Sequence, residues 1–562
     1  MLPRLSGLLN WLYVRFADYY KRSFDRAAAR ASQVNDQTLM AILRRHRRSE
    51  FGRRHSFAAI DSPSAYRRAL PLATHDDFAA DIERMSNGTP NVLCHDKLSG
   101  FGLTSGTTGK SKLVPITMTQ RRKTALAMTF LPQGFVHNLL PEVEPGGRGL
   151  LLINAAAPGQ TPGGFPVGPG TSLGMRNMLR SSSRFWTSPA AAYEIGSQAD
   201  ALYVHLLFAL ISGEARYISA PFASTVLDLF HTLELRAAEL VYDVRNGTLR
   251  GVPNLDEKIR RQLERQLIPQ PDLATWLADE LSNGCANIAR RLFPQLSYVN
   301  TVTSGGFGLY AQRLSHYLGE LPIYSSIYAS TEAVLGIGVA LDVGRYALIP
   351  GQAYYEFIPE DHIDEAQPTT WQIDELQVGH RYEMVLTTWS GLYRYRLGDI
   401  IEVVDRYQRT PLVEFMHRRG ALLNICGEKM TERSAYTALL RSTGIAGLQL
   451  TDYTTRIDTE ALPQRYVFYL ELGANEQPAD VPALVSKLAD LIDSGLGQGN
   501  SLYELSRTSQ RIGAAEARLV RSGTFRRLRE IFVSRGASPT QVKVPRVLGD
   551  PDMITILEEN LM

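Results

Sequence analysis

Cysteine is scarce: 562 residues hold only Cys94, Cys285 and Cys426. They lie far apart and form no Cys-x-x-Cys pair, so neither a disulfide framework nor a zinc site built on paired thiolates is suggested, and a reducing cytoplasm fits. Net charge is scarce too. Sixty Lys and Arg nearly balance 57 Asp and Glu, giving +3 at pH 7 with His neutral, so no global field selects nucleic acid or an anionic membrane. Long apolar runs are also missing near the N-terminus, where the stretch from Leu5 to Phe16 is interrupted by Asn10 and Arg15. It is too short to span a bilayer, and no small-residue cleavage site follows it. The expectation is a cytoplasmic chain with no membrane span and no nucleic-acid partner.

What is present is ordinary for a globular protein, with 44% hydrophobic and 21% charged residues over a length that suits two or three domains. Leu8, Leu9, Leu12, Tyr13 and Phe16 fall at helical spacing. They predict an amphipathic helix packed on the body, with membrane contact as the lesser alternative. The one local excess of charge, Arg44, Arg45, Arg47, Arg48, Arg53 and Arg54, reads as a solvated basic face beside a helix end.

From the N-terminus to about residue 76 the pattern is helical. An apolar run at 149–154 predicts a buried strand, and the Gly/Pro-rich stretch 156–174 predicts an ordered loop over a cleft. Helix, strand and helix follow at 201–211, 215–219 and 224–240. A strand at 298–303 ends in Ser304-Gly305-Gly306, and a helix at 309–317 leads to a strand at 322–328. Such β/α alternation predicts an open sheet that binds ligands at the carboxyl ends of its strands. Alternation of apolar and polar residues at 346–357 and 383–405 predicts antiparallel strands. After about residue 425 a strand at 466–472 and helices at 482–494 and 522–535 make a small α+β domain. The expected class is therefore α/β: a large N-terminal domain, 1–425, with an antiparallel β portion, and a small mobile C-terminal domain, 426–562, hinged at Gly427.

Three segments carry chemistry. In the first, residues 103–117, Gly106 and Gly109 stand among Thr104, Ser105, Thr107, Thr108 and Ser111, with Lys110 and Lys112 at the rim. Glycines let successive amide N–H groups face one concavity, and the hydroxyls add donors, which suits a phosphate. A Walker A loop needs a glycine five positions before the Gly-Lys pair, where Thr104 stands, so the spacing fails. The second segment is Tyr328-Ala329-Ser330-Thr331-Glu332. An aromatic ring, two hydroxyls and a carboxylate suit a base, a phosphate and a divalent cation. In the third, Tyr393-Arg394-Tyr395-Arg396-Leu397-Gly398-Asp399, a carboxylate after a glycine turn suits the vicinal hydroxyls of a ribose. A surface strand with cross-strand ion pairs explains the same residues equally well.

Together these segments resemble, in order and separation, the three nucleotide motifs of the acyl-adenylate-forming superfamily. Within it the chain resembles the auxin-responsive acyl acid amido synthetases, on the Arg-Leu-Gly-Asp ending at 396–399, Leu-Asn-Ile-Cys-Gly-Glu-Lys-Met-Thr-Glu at 423–432 and Gln-Val-Lys-Val-Pro-Arg at 541–546. A bacterial member is expected. The resemblance implies ATP and Mg2+: the 103–117 loop around the β- and γ-phosphates, Tyr328 on adenine, Thr331 at the α-phosphate with Ser330 and Gly305 nearby, Glu332 at the metal, and Asp399 on the ribose with Arg418 as helper. It also implies a lysine at the α-phosphate, Lys543 or Lys429, in different domain orientations.

The implied reaction turns ATP and a carboxylic acid into acyl-AMP and pyrophosphate, after which the amine of an amino acid takes the acyl group and AMP leaves. No cysteine sits in a nucleophile-like context, so no covalent thioester is needed. The helix after the phosphate loop, about 124–136, lacks Lys and Arg over its apolar stretch, and Leu126, Met128, Phe130 and Leu131 favour an apolar acyl group. A core helix explains them as well. Tyr203 and Phe222 are further candidates for that pocket. Alternatives are an acyl-CoA ligase sharing the first step, an inactive nucleotide-binding protein, and a P-loop phosphotransferase that would release ADP. A monomer is expected.

Overall fold

The computed structural model describes residues 2–103, 112–143, 147–153, 159–168, 185–303, 308–419, 423, 425, 430–458, 461, 463–473, 476, 478–508, 512–537 and 542–562, with side chains from Trp11 onward except at 224, 308–312, 501, 502 and 505. Helices fill the N-terminal part, as the periodicity predicts: Leu2–Ala28, Ala31–His46, Glu50–Arg54, Pro63–Ala69 and His75–Ser86. Short polar residues start them. The Ser49 hydroxyl accepts from Gly52 N, Ser62 accepts from Ala65 N ahead of Pro63, and Thr74 and Asp77 form a reciprocal cap. The first helix packs along the helix Met118–Leu139. Tyr13 donates to Thr129 O at 3.0 Å, the Phe130 ring lies 5.3 to 5.9 Å from Tyr13, Phe16 and Tyr20, and a Cβ at Gly134 would come within 2.7 Å of Ala17 O.

Strands β1 (Leu98–Leu103) and β2 (Leu113–Thr117) form an antiparallel hairpin. With β4 (Gly159–Gln160) and β5 (Pro166–Gly168) they make a sheet of order β2-β1-β5-β4. The open parallel sheet expected from the alternation is β3 (Arg148–Leu151), β6 (Ala215–Phe222), β7 (Tyr298–Val302) and β8 (Ile323–Tyr324), in that order. Its core is Leu150, Ile218 and Val299 packed under Leu206, Val226, Phe230 and Leu314. The expected helix at 224–240 is two, Ala223–Leu235 and Ala237–Asn246, broken at Arg236.

The expected strand 322–328 is also two, in different sheets. The chain leaves the parallel sheet after β8, crosses at Ser325 and Ser326, and joins β9 (Ile327–Ala329) of a seven-stranded sheet. Both serines are buried, Ser325 Oγ lies 2.6 Å from Tyr346 OH, and Gly338 N donates to Ser326 O at 2.7 Å. That sheet runs β12-β13-β14-β15-β11-β10-β9, with β10 Val334–Gly338, β11 Arg345–Leu348, β12 Ala353–Pro359, β13 Arg381–Thr388, β14 Tyr395–Tyr407 and β15 Thr410–Arg418. Each expected antiparallel stretch proves to be two strands, separated by turns at Gly351 (φ 90°) and Gly391 (φ 95°): β13 and β14 are neighbours, whereas β11 and β12 lie apart in the sheet.

Two compact units result, one holding the described residues of Met1–Thr104, Lys112–Leu397 and Ile401–Phe415, the other those of Gly398–Ile400 and Met416–Met562. The second is α+β. Strands β16 (Leu450–Asp458), β17 (Arg465–Leu472) and β18 (Glu516–Val520) lie side by side, antiparallel then parallel. Helices Glu432–Ile445 and Val481–Gly499 bury Leu439, Leu488, Ile492 and Leu496 against Phe468 and Leu470. Helices Thr524–Ser534 and Pro551–Glu559 bring Phe525, Leu528, Met553 and Leu557 onto Val467 and Tyr469. The buried Glu471 carboxylate accepts from Gly523 N and Phe525 N at 2.9 and 2.8 Å, capping the helix that starts at Thr524. Among the described residues no helix is long and apolar enough to cross a membrane.

Candidate functional site

Thr104, Ser105, Gly106, Thr107, Thr108, Gly109 and Lys110 lie outside the described residues, but both ends of their loop are placed. Leu103 pairs with Leu113 across β1 and β2, so the segment leaves one strand and returns on its antiparallel neighbour. A Walker A loop instead runs from a strand into a helix N-terminus. Here the helix begins only after β2, where Thr117 Oγ1 accepts from Gln120 N at 3.2 Å, which speaks against a P-loop phosphotransferase.

One residue before the loop, Gly102 lies against the second motif. A Cβ there would come within 2.5 Å of Thr331 Cγ2, so the absence of a side chain lets the two segments meet. The residues from 328 to 332 occupy the end of β9 and the turn into β10. Ser330 N donates to Ala333 O at 2.9 Å and Ala333 N to Ser330 Oγ at 3.4 Å, closing the turn with Thr331 and Glu332 at its tip. Glu332 is 2% exposed, and its Oε1 has no hydrogen-bond partner among the described residues. A buried carboxylate oxygen without a protein donor suits a cation or a donor brought by a ligand. Among the described residues no cluster of three or more His, Cys, Asp or Glu could hold a metal. A lone carboxylate nonetheless fits Mg2+, which takes one or two carboxylates plus substrate phosphates and water. The Tyr328 ring is packed by Tyr346 and Phe415 at 5.6 and 6.0 Å, and its hydroxyl lies 3.6 Å from Met384 Sδ. With 8% of its surface open, it offers a base a margin and not a whole face. Gly305 lies outside the described residues.

In the third motif Gly398 has φ 80° within β14, and its carbonyl accepts from Arg419 N at 2.5 Å. That kink precedes Asp399, which is buried and lies 3.3 Å from Arg418 Nε, so the structure brings these two expected partners together. The neighbouring arginines form ion pairs, as the plainer reading held, but not on a surface. Arg394 donates to Glu356 at 3.0 Å and to Leu70 O at 2.7 Å, and Arg396 pairs with Glu383 at 2.5 Å. All four side chains are buried. Arg394 takes φ 46°, a left-handed conformation held by this network.

Lys543 stands in the second unit on a strap laid along β16. Thr455 N donates to Arg546 O at 2.8 Å, Leu548 N to Thr455 O at 2.7 Å, and Thr454 Oγ1 to Pro545 O at 2.6 Å. Arg546 locks the strap: it pairs with Asp452, donates to Tyr453 O at 2.6 Å and lies 4.5 Å above the Tyr453 ring. Lys543 is exposed, yet protein atoms crowd its ammonium and hold its pKa below the usual lysine value; Glu432 and Asp399 oppose this, while Arg546 and Arg418 add to it. Lys429 lies outside the described residues.

The residues expected around an acyl group divide. Phe222 is half-buried at the carboxyl end of β6, where open sheets hold ligands. Leu131 is buried with Phe24 and Phe135 in the core. Tyr203 is fully buried, donates to Asp243 at 2.7 Å and has Arg236 4.1 Å over its ring; the structure uses it in packing. The reading of residues alone missed Gly102, Arg546 with Asp452, and Glu356 with Glu383. Gly102, directly ahead of the loop, was the one with a local signal.

Along 98% of its length the chain is 29% identical to a probable indole-3-acetic acid-amido synthetase GH3.2 of Oryza sativa subsp. japonica, covering 92% of that protein. It is likewise 29% identical, over 95% of this chain and 94% of the relative, to jasmonoyl-L-amino acid synthetase JAR4 of Nicotiana attenuata. A solved acyl acid amido synthetase in complex with 2,4-DB has a TM-score of 0.85 at 26% identity, over 97% of this chain and 96% of that one. The two named relatives are plant proteins and lend no support to a bacterial origin. Family models described as the GH3 family N-terminal, central and C-terminal domains match residues 20–323, 346–418 and 433–552. The chain therefore belongs to the GH3 family.

Proposed function

We propose that this GH3 protein is an AMP-forming acyl acid amido synthetase, a ligase that activates a carboxylic acid as its acyl-adenylate and passes the acyl group to the amine of an amino acid. Membership of the family and full-length likeness to amido synthetases support the activity. Within the site, the observation that carries it is the buried Glu332 oxygen without a partner, at a turn against which Gly102 sets the start of the 103–117 loop.

Both reactants of the first step are anions, and their repulsion must be offset where the carboxylate meets the α-phosphate. The loop from Thr104 to Lys110 takes the β- and γ-phosphates, Thr331 and Ser330 the α-phosphate, and Asp399 with Arg418 the ribose, while Tyr328 borders the adenine. Glu332 faces the magnesium that travels with ATP. That ion, when bound, supplies charge to the phosphate oxygens. Lys543 is the lysine of the adenylation step and Lys429 its counterpart in the other orientation of a turning C-terminal domain hinged at Gly427. Phe222 borders an acid with an apolar body. A cytoplasmic monomer is the state this reading assumes.

The test is product analysis. Purified chain with ATP, Mg2+, a panel of carboxylic acids and the amino acids should release AMP and pyrophosphate and form an amide only when acid and amine are both present. Thioester formation with coenzyme A in place of the amine would make it an acyl-CoA ligase, and ADP as product would remove the adenylate altogether.

A further inference from the structure

The helix Leu2–Ala28 turns Ala17, Phe24 and Ala28 to the body and leaves another side uncovered. From Trp11 onward its exposed residues through Arg26 are four large apolar ones, Trp11, Leu12, Phe16 and Tyr19, and three arginines, Arg15, Arg22 and Arg26. At 3.6 residues per turn all seven fall within one arc of about 140°. Trp11, Phe16 and Tyr19 keep 55%, 53% and 53% of their surface open, far more than isolated apolar side chains on a packed helix need. Arg15 lies 5.4 Å over the Trp11 ring.

The acids of this helix are turned aside. Asp18 meets His137 at 3.1 Å, and Asp25 takes Lys21 at 2.9 Å and Tyr407 OH at 2.8 Å. The uncovered arc thus carries three cations and no anion, and none of the three arginines has an acidic partner among the described residues. We infer that this face docks on an anionic lipid surface, its aromatic and leucine side chains entering the headgroup boundary and its arginines meeting lipid phosphates. The rest of the helix is held by the Met118–Leu139 helix, so it lies in the plane of the surface and does not cross it. A second copy fits poorly, because a two-fold contact of the arc with itself would set arginine against arginine.

Sedimentation of the full chain with vesicles decides it. Vesicles of phosphatidylcholine with about one third phosphatidylglycerol should carry the chain down at low salt, and pure phosphatidylcholine vesicles should not. Replacing Arg15, Arg22 and Arg26 together by Gln should lower the partition coefficient about a hundredfold, since each basic residue near such a surface contributes roughly fivefold. Trp11→Ser with Phe16→Ser should cost at least about tenfold. The arginines are exposed, so circular dichroism and the thermal transition of that variant should match the parent's, and the Phe16 replacement, whose ring also meets Phe130 at 5.9 Å, is assayed well below its own transition. Equal binding to both vesicle types, or binding to neither, overturns the inference. So does a concentration-dependent dimer that the Trp11 and Phe16 replacements abolish.

Discussion

A buried carboxylate oxygen left without a donor costs roughly 1–3 kcal/mol, and more when charged; Glu332 Oε1 is such an atom at the tip of a tight turn. If a cation delivered with ATP compensates it, Glu332→Gln keeps the shape and removes the charge. The adenylation rate should then fall about ten- to a hundredfold, or roughly 1.4–2.7 kcal/mol of barrier, most steeply at limiting magnesium. A wild-type rate there would take Glu332 away from the metal. Two histidines make a second residue-scale case. Burial pushes His46 down to about 4 and His205 to about 3, against an ordinary 6.5. His46 Nδ1 accepts from His95 N at 3.1 Å, which places its proton on Nε2. As pH falls below 6.5 the unfolded chain takes up protons that the folded chain refuses, so stability present above that value is lost toward pH 4. Each ring should account for about 2 kcal/mol between pH 7 and pH 5. Denaturant titrations at the two values would measure it, and His205→Gln should flatten the difference by one ring's share.

Among the elements, β14 is held at its start by two buried ion pairs, one to β12 and one to β13. Glu356 accepts from Arg394 and from Thr370 Oγ1 at 2.7 Å, so Glu356→Gln leaves a buried guanidinium uncompensated. It should destabilise the fold by roughly 3–5 kcal/mol, while a joint change of Arg394 and Glu356 to Met should cost less; denaturant midpoints of the two variants would show the order, and a milder single change would place the pair outside the stability of the strand. The elements differ in how far their sequence betrays them. Helices and the parallel strands follow from period and capping residues, which are local: Ser62 before Pro63, the apolar run at 149–154, the alternation from 201 to 317. The run at 322–328 does not reveal two sheets, because the switch depends on Ser325 meeting Tyr346 from another strand. For the same reason Arg394 and Arg396 look like surface residues, since burial comes from Glu356 and Glu383 on other strands. Tyr203 looks available for an acyl group until Asp243 takes its hydroxyl. Motif chemistry is legible from residue types at close spacing; the company each side chain keeps is not.

At the scale of the whole molecule the proposed chemistry is divided between two half-reactions, and Lys543 is the residue whose replacement would tell them apart. Its backbone belongs to a strap fixed to β16 by Thr454, Thr455 and Arg546, so its position is set by the second unit. Brought to the α-phosphate, it would stabilise charge that builds up as the acid's carboxylate attacks, a contribution of roughly 3 kcal/mol by comparison with loss of one preorganised donor. Lys543→Ala should therefore lower acid-dependent ATP–pyrophosphate exchange by about a hundredfold. Supplying a chemically made acyl-adenylate bypasses that step, and the amide should then form at close to the parent's rate. Equal loss in both measurements would mean that Lys543 serves the integrity of the second unit. Loss confined to the amine step would transfer the adenylation role to Lys429. Arg546→Met, which frees the strap and leaves the ammonium in place, should fall between parent and Lys543→Ala in exchange and match the parent in the bypass, because what it removes is the fixed position of the charge and not the charge.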